Sequence, residues 1–340
     1  MVRQAVFFGF APWKNFIPRW FPGVDCKVVT RNPKLMLLKG WPWRLLLRSR
    51  PTAVLVWGFK YPRFLRGFCR LFGFPFYYVE DGFVRSISLG STRAAPASLI
   101  IDGGTLHYDA RNPSDLEQTL QNYDFGADAA LMERADRCIQ MLLDLRVSKY
   151  NLGTQMDLET LIGPKTKRRV LVVGQVETDA AIAHGCDKPF NNNDLVRLAV
   201  SENPDAQVIY KPHPDTVHRK RAGASNPADV AHICELLETD VTPADALDTV
   251  DHVYTITSLM GFEALLRGIP VTCVGLPFYA GWGATDDRQT SIRRKRRLSP
   301  REIFAAAYLM HSLYYDPETG EPADLETVIC RLIEMRDPRP

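Results

Sequence analysis

Four short segments between Arg169 and Asp287 decide the fold: Gly174-Gln175-Val176-Glu177-Thr178-Asp179, Tyr210-Lys211-Pro212-His213-Pro214-Asp215, Thr257-Ser258-Leu259-Met260-Gly261-Phe262-Glu263, and Gly275-Leu276-Pro277-Phe278-Tyr279-Ala280-Gly281-Trp282-Gly283. Each closes an apolar run. Val170-Leu171-Val172-Val173, Ala206-Gln207-Val208-Ile209-Tyr210, Val253-Tyr254-Thr255-Ile256 and Val271-Thr272-Cys273-Val274 are short, β-branched and bounded by turn residues, the pattern of buried parallel strands. Helical patterns lie between them. In such a sheet, ligands bind in the crevice at the carboxyl ends of the strands. The polar residues after each strand are therefore expected to converge on one nucleotide-sugar pocket.

The residue types fit that chemistry, although each has a bland alternative. Thr257 and Ser258 open a helix through Leu259 and Gly261, and a helix N-terminus favours a phosphate through its unsatisfied amides and dipole. Glu263, about a turn later, suits the two hydroxyls of a ribose; otherwise it is an exposed acid on a capped helix. His213 is held between Pro212 and Pro214, so a rigid imidazole can donate to a phosphate or a nucleotide edge. Lys211 adds a charge for the phosphate. Glu177 and Asp179 are carboxylates that could act as nucleophile or base beside an anomeric carbon, or could merely cap a helix. Tyr279 and Trp282 sit among glycines, which let backbone approach a ligand, and an aromatic there suits a sugar face. No cluster demands a metal.

The front of the chain reads as a first α/β domain. Strands are expected over Val2–Phe10, Thr52–Trp57 and Phe76–Val79, with a helix over Tyr61–Phe72. Glu80-Asp81-Gly82-Phe83-Val84-Arg85-Ser86 follows the third strand as a candidate functional loop. Leu99 to Asp109, with Asp102-Gly103-Gly104-Thr105 at its centre, predicts a hairpin. Ser114 and Glu117 predict a capping box, and a longer helix covers about 127–145. Polar, irregular residues 148–164 set the domain boundary. The expected division is 1–160, 161–300 and C-terminal helices over 301–340 that return to the first domain. Residues 216–229 carry no assignable pattern, and Arg293 to Arg297 form an unbroken basic run.

At 340 residues, 46% hydrophobic, the chain has the size of two domains. Seven cysteines without metal or paired spacing, and no signal-type N-terminus, point to a cytoplasmic protein with reduced thiols. No apolar run spans a membrane. Residues 1–70 hold fourteen Lys and Arg against one acid, Asp25, about +13, which leaves about −10 for the rest of a +3 chain. That basic part is interleaved with Trp13, Phe16, Trp20, Phe21, Trp41, Trp43 and Leu45 to Leu47. It suits an anionic membrane face or an acidic glycan, or is a solvated surface over an ordinary core. Nucleic acid is disfavoured, because no recognition motif accompanies the charge.

Taken together, Gln175-Val176-Glu177-x-Asp179, Lys211-Pro212-His213-Pro214, Ser258-Leu259-x-Gly261-Phe262-Glu263-Ala264, Pro277-to-Gly283, Glu80-Asp81-Gly82-Phe83-x-Arg85-Ser86, Tyr108-Asp109-Ala110 and Pro113-Ser114-Asp115-Leu116-Glu117 resemble the bacterial capsule-synthesis proteins of the KpsC type. The resemblance runs from about residue 50 to 310. It implies an α/β protein of two Rossmann-like domains facing a cleft, the GT-B plan, with a retaining β-Kdo glycosyltransferase activity. The implied donor is CMP-β-Kdo, with no cofactor, and the acceptor is an anionic glycan or glycolipid in capsule or lipopolysaccharide synthesis. The acceptor would lie on the first domain and the nucleotide on the second, at Lys211, His213, Pro214, Thr257, Ser258, Leu259, Gly261 and Glu263. The implied nucleophile maps to Asp179. Gln175, Arg85, Tyr279 and Trp282 fall on the substrate side, and Glu80, Asp81 or Glu177 would supply the base. A peripheral position on the inner face of the inner membrane follows from residues 1–70. Two competing readings are a related enzyme, using CMP-sialic acid or epimerising a nucleotide sugar, and a non-catalytic membrane-docking module.

Overall fold

A computed structural model describes residues 3–14, 16–29, 40, 43–46, 52–88, 93–151, 155–217, 225–239 and 241–337. Among them run thirteen strands: β1 (Gln4–Phe8), β2 (Asp25–Val28), β3 (Thr52–Trp57), β4 (Phe76–Asp81), β5 (Ser98–Asp102), β6 (Arg169–Val173), β7 (Gln207–Lys211), β8 (Glu235–Leu236), β9 (His252–Thr255), β10 (Val271–Cys273), β11 (Asp286–Asp287), β12 (Ser312–Tyr315) and β13 (Pro322–Ala323). The chain divides into two compact units. The first holds residues 1–106 and 311–340, the second 107–310. The fold is α/β, with one sheet in each unit.

The second unit carries the sheet that the strand-end segments predict. Its order is β11-β10-β9-β6-β7-β8, and every neighbouring pair is parallel. Counted along this unit the order is 3-2-1-4-5-6, the doubly wound Rossmann arrangement. Strand β6 is buried along its whole length, as a strand covered on both faces must be. The chain reverses direction across the sheet between β6 and β9, and that is where such a sheet leaves a crevice.

The first unit has the order β13-β12-β5-β4-β3-β1-β2. Strands β2, β1, β3 and β4 are parallel, while β5, β12 and β13 are antiparallel. Its core packs Phe7, Phe10, Trp20, Trp57, Val79 and Tyr315, and Trp20 stacks on Tyr315 with centroids 3.9 Å apart.

Several expectations shift here. The unit boundary lies at Leu106/His107 rather than within 148–164, because the helices Asp115–Asn122 and Ala129–Asp144 pack with the helical stretch 300–310 of the second unit. The C-terminal segment joins the first unit only from His311, and it adds two strands as well as the helix Leu325–Arg336. No hairpin forms over 99–109. Strand β5 pairs with β4 and β12, and the Asp102 carboxylate accepts from the amides of Gly104 and Thr105, a local turn that ends the strand. Glu80 and Asp81 lie inside β4, opposite Ile100 and Leu99 of β5, rather than in a loop after it. Ser114 caps its helix through the Glu117 amide, but the Glu117 carboxylate goes elsewhere. All seven cysteines are free. Among the described residues no helix is long and apolar enough to cross a membrane.

Candidate nucleotide-sugar site

The four strand-end segments of the second unit are tied to one another by the backbone. The Gly174 amide donates to the Lys211 carbonyl at 2.9 Å, joining the ends of β6 and β7, and the Gly275 amide donates to Ile256 at 3.0 Å, joining those of β10 and β9. Across the β6/β9 switch point, Gln175 and Thr257 exchange two bonds. The Gln175 amide nitrogen donates to the Thr257 hydroxyl at 3.1 Å, and the Thr257 N–H donates to Gln175 Oε1 at 2.6 Å. Asn192 closes the Gln175 turn from the other side, accepting from its N–H at 2.9 Å and donating to its carbonyl at 2.8 Å. Thus Gln175 and Thr257, expected to meet ligand, are also tied to each other across the β6/β9 crevice.

Asp179 and Ser258 then stand as caps of the helices that leave β6 and β9. Asp179, half-buried, heads Ala180–Gly185 and accepts from the Ala181 amide at 3.2 Å. Among the described residues its second carboxylate oxygen accepts nothing. Ser258 heads Leu259–Leu266, and its hydroxyl accepts from Met260 at 3.3 Å. Gly261 is required in this helix, because a Cβ there would lie 2.3 Å from the Tyr279 hydroxyl. That hydroxyl donates to the Ser258 carbonyl at 2.5 Å, so Tyr279 holds the cap from beneath.

His213 follows β7. Its Nδ1 accepts from the Asp215 amide at 3.1 Å. This makes Nε2 the nitrogen that carries the proton in the neutral ring, a donor tautomer suited to an anionic oxygen. Pro214 begins the short helix Pro214–Val217, and Lys211 is buried at the end of β7. Glu263 is buried one turn into its helix and accepts from the Lys149 amide at 3.3 Å. Burial pushes its carboxyl above the ordinary range, with Arg267 and the Lys149 amide pulling the other way. Of residues 216–229, the segment 218–224 lies outside the described residues, and Pro227–Asp229 form a single 3-10 turn.

Other expected site residues serve the framework. The Glu177 carboxylate accepts from the Asn192 amide at 2.8 Å and from both the amide and hydroxyl of Ser225, anchoring that loop. Tyr279 and Trp282 have no exposed surface. The Trp282 indole N–H donates to the Phe278 carbonyl at 2.9 Å, so neither ring offers a face to a sugar. Arg85, in the first unit, is 1% exposed. Its guanidinium lies 2.8 Å from Asp81 and donates to Ser86 and the Ala94 carbonyl. It braces Asp81 instead of reaching substrate. Trp20 and Leu45 of the basic N-terminal part are buried, and Phe16 and Phe21 pack on the core. Trp41 and Leu47 lie outside the described residues.

The basic run Arg293 to Arg297 is a fastener. Arg293 and Arg294 both pair with the buried Glu117, at 2.5 and 3.0 Å. Arg294 also donates to the carbonyls of Pro277 and Ala280, each at 2.6 Å. This ties the helix Asp115–Asn122 to the loop after β10.

Sequence reasoning missed Lys14. It is 6% exposed, lies over the Trp57 ring and sits 4.0 Å from Asp81. Burial lowers its ammonium to about 8 despite Asp81 and Glu80. It follows β1 as the site segments follow their strands, and that position was the signal available.

The profile of the family described as capsule polysaccharide biosynthesis protein matches residues 52–315. The chain is 43% identical to the lipopolysaccharide-processing protein LpsZ of Rhizobium meliloti over 96% of its own length and 73% of that protein's. It is 36% identical to the capsule polysaccharide modification protein LipA of Neisseria meningitidis serogroup B, over 97% of its length but only 45% of LipA's. Two solved modules of Thermosulfurimonas dismutans KpsC have the same fold. The β-Kdo 2,4 transferase superposes with a TM-score of 0.83 at 31% identity, covering 98% of both chains. The β-Kdo 2,7 transferase superposes at 0.71 and 32%, covering 98% of this chain and all of that one. With a family match over residues 52–315 and a relative 43% identical over 96% of the chain, the chain belongs to the capsule polysaccharide biosynthesis family.

Proposed function

We propose that this protein is a retaining β-Kdo glycosyltransferase that uses CMP-β-Kdo and works at the inner face of the inner membrane on an anionic glycan or glycolipid acceptor. One observation carries the reading: at the β6/β9 switch point, where Gln175 and Thr257 exchange hydrogen bonds, a half-buried carboxylate at Asp179 caps the helix after β6 and Ser258 caps the helix after β9. The likeness to KpsC Kdo transferase modules over nearly the whole chain supports the donor class.

In this reading, Ser258, the Leu259 amide, Lys211 and His213 hold the phosphate of CMP, and Glu263 takes the ribose. Asp179 attacks the anomeric carbon as the bond to phosphate breaks, and CMP leaves with the electron pair. The leaving group is stabilised by donors already in place, so it needs little acid help. The acceptor oxygen then attacks the Kdo–Asp179 ester, the carboxylate leaves, and configuration is retained. The acceptor proton passes to a carboxylate. Glu80, Asp81 and Glu177 are the candidates, and substitution of each by its amide would rank them.

Mass spectrometry of the protein after incubation with CMP-Kdo is expected to show a Kdo adduct on the peptide containing Asp179. Asp179→Ala is expected to lose the adduct and to lower transfer by about a thousandfold or more. Full transfer by that variant would end the assignment, and a donor panel including CMP-sialic acid and UDP-sugars would reveal a different donor.

A further inference from the structure

The first unit carries an unusual surface that the site does not use. The helix Phe64–Leu71 buries Leu65, Phe68 and Cys69. It nevertheless leaves Leu71 76% exposed, with Phe64 and Phe72 at 46% and 45%. Phe64 and Leu71 are seven residues apart, so they share one stripe of the helix. Next to it, the 3-10 turn Trp43–Leu45 leaves Trp43 59% exposed, and Leu46 follows it at 43%. The pieces form one patch: the Trp43 and Phe72 rings both lie against Phe68, at 5.4 and 4.6 Å between centroids.

The residues next to this patch in sequence carry charge of a single sign. Arg63, Arg66 and Arg70 recur at helical spacing on the same short helix, and Arg44 is exposed beside Trp43. From Cys26 to Val79 the sequence has eleven Lys and Arg and no Asp or Glu. A protein partner for such a face would have to present a matching acidic surface, an outcome that the dimer and vesicle measurements below separate. Exposed apolar and aromatic groups set among arginines match the acyl boundary and headgroups of an anionic bilayer.

We propose that this face, centred on Trp43, Leu71 and Phe72 and rimmed by Arg44, Arg63 and Arg70, docks on an anionic phospholipid surface. It deepens the membrane contact proposed above by naming the face and the lipid chemistry. Phe64, Leu71, Phe72 and Trp43 enter the interface between headgroups and acyl chains. The arginines pair with lipid phosphates and keep their stems along the apolar boundary. The helix is too short to span the bilayer, and the contact is peripheral.

The test is flotation of the full chain with vesicles of neutral phosphatidylcholine and of phosphatidylcholine mixed with phosphatidylglycerol. Binding is expected to the anionic vesicles only, and to weaken with salt. Arg63→Gln and Arg70→Gln should each reduce it about fivefold. Arg66 is left intact, because it donates to the Gly104 carbonyl and covers Tyr78. Leu71→Ser with Phe72→Ser should abolish what survives, while the melting temperature and the CMP-Kdo adduct persist. Equal binding to both vesicle types, or none, would overturn the proposal. So would a concentration-dependent dimer that the Leu71/Phe72 variant dissolves, since a second copy would then own the face. A wild-type protein that binds vesicles but forms no adduct leaves this inference standing and removes the donor chemistry instead.

Discussion

The two sheets finish their strands differently. In the second unit, the ends of β6, β7 and β9 carry neutral or singly charged groups held by backbone: Gln175 against Thr257, Asp179 and Ser258 as helix caps, and His213 against the Asp215 amide. In the first unit, the ends of β1, β3 and β4 carry a buried ionic knot of Lys14, Asp81 and Arg85 over Trp57. Helix caps and amide pairs need no countercharge. The knot satisfies its charges internally and has been desolvated in doing so. The difference teaches that strand ends can be fixed by side-chain amide pairs and helix caps in one sheet and by buried ion pairs in the other.

The sharpest way to break this comparison is to damage the frame of the second unit away from its site. Glu117→Ala leaves Arg293 and Arg294 without their shared carboxylate. Because Glu117 and Arg294 are both buried, a loss of about 3 kcal/mol is expected. Urea unfolding should show it, together with a loosened Pro277–Gly283 loop in hydrogen exchange. A variant as stable as wild type would mean the basic run is ordinary surface.

A smaller effect is expected inside the site. Glu263 is held neutral more readily in the folded protein than in the unfolded chain, because burial raises its carboxyl. The folded state then holds more protons, so stability is full below the ordinary Glu range and is lost as pH rises through the raised value. Glu263→Gln keeps an oxygen for the Lys149 amide and removes that loss. It is expected to melt higher than wild type at neutral pH, with a flatter pH profile, while CMP affinity falls roughly tenfold in calorimetry. A variant that gains stability without losing affinity would place Glu263 among the framework residues.

The smallest effect belongs to the knot. Lys14 titrates at about 8 in the folded protein against 10.5 in the unfolded chain. Between those values the unfolded chain binds more protons, so wild-type stability is expected to rise with pH across that window. Lys14→Met should flatten the rise in thermal melts. It should also leave CMP binding, a property of the second unit in this reading, unchanged. If CMP binding weakened, the separation of roles between the two strand-end clusters would fail.

Much of the second unit was legible because its information is local. β-branched runs ending in Gly174, Lys211, Thr257 and Gly275 specify buried parallel strands wherever they occur, and Ser258 or Asp179 before a helix specifies a cap. The hairpin over 99–109 was misread because Asp-Gly-Gly also serves an Asx turn, and only the arrival of β12 from 210 residues later shows which. Glu117 looked like a capping-box acid because its true partners, Arg293 and Arg294, lie about 176 residues away. Tyr279 and Trp282 looked like sugar platforms because glycines flank them, yet Gly281 and Gly283 pack against Arg294 and Arg297, and the Tyr279 hydroxyl lies against Gly261 beneath the Ser258 cap.

What the amino-acid order determined by itself was periodicity: which runs are strands, which polar residues follow them, and how one-sided the charge of residues 26–79 is. Those properties depend on neighbours within a few residues, where sterics and backbone hydrogen bonding act. What only the tertiary structure decided was occupancy. Whether a carboxylate such as Glu177 accepts three bonds from Asn192 and Ser225, or one such as Asp179 accepts one from the Ala181 amide, depends on which groups reach it. Hydrogen bonds saturate, so a polar residue that finds partners in the fold has that much less to offer a ligand.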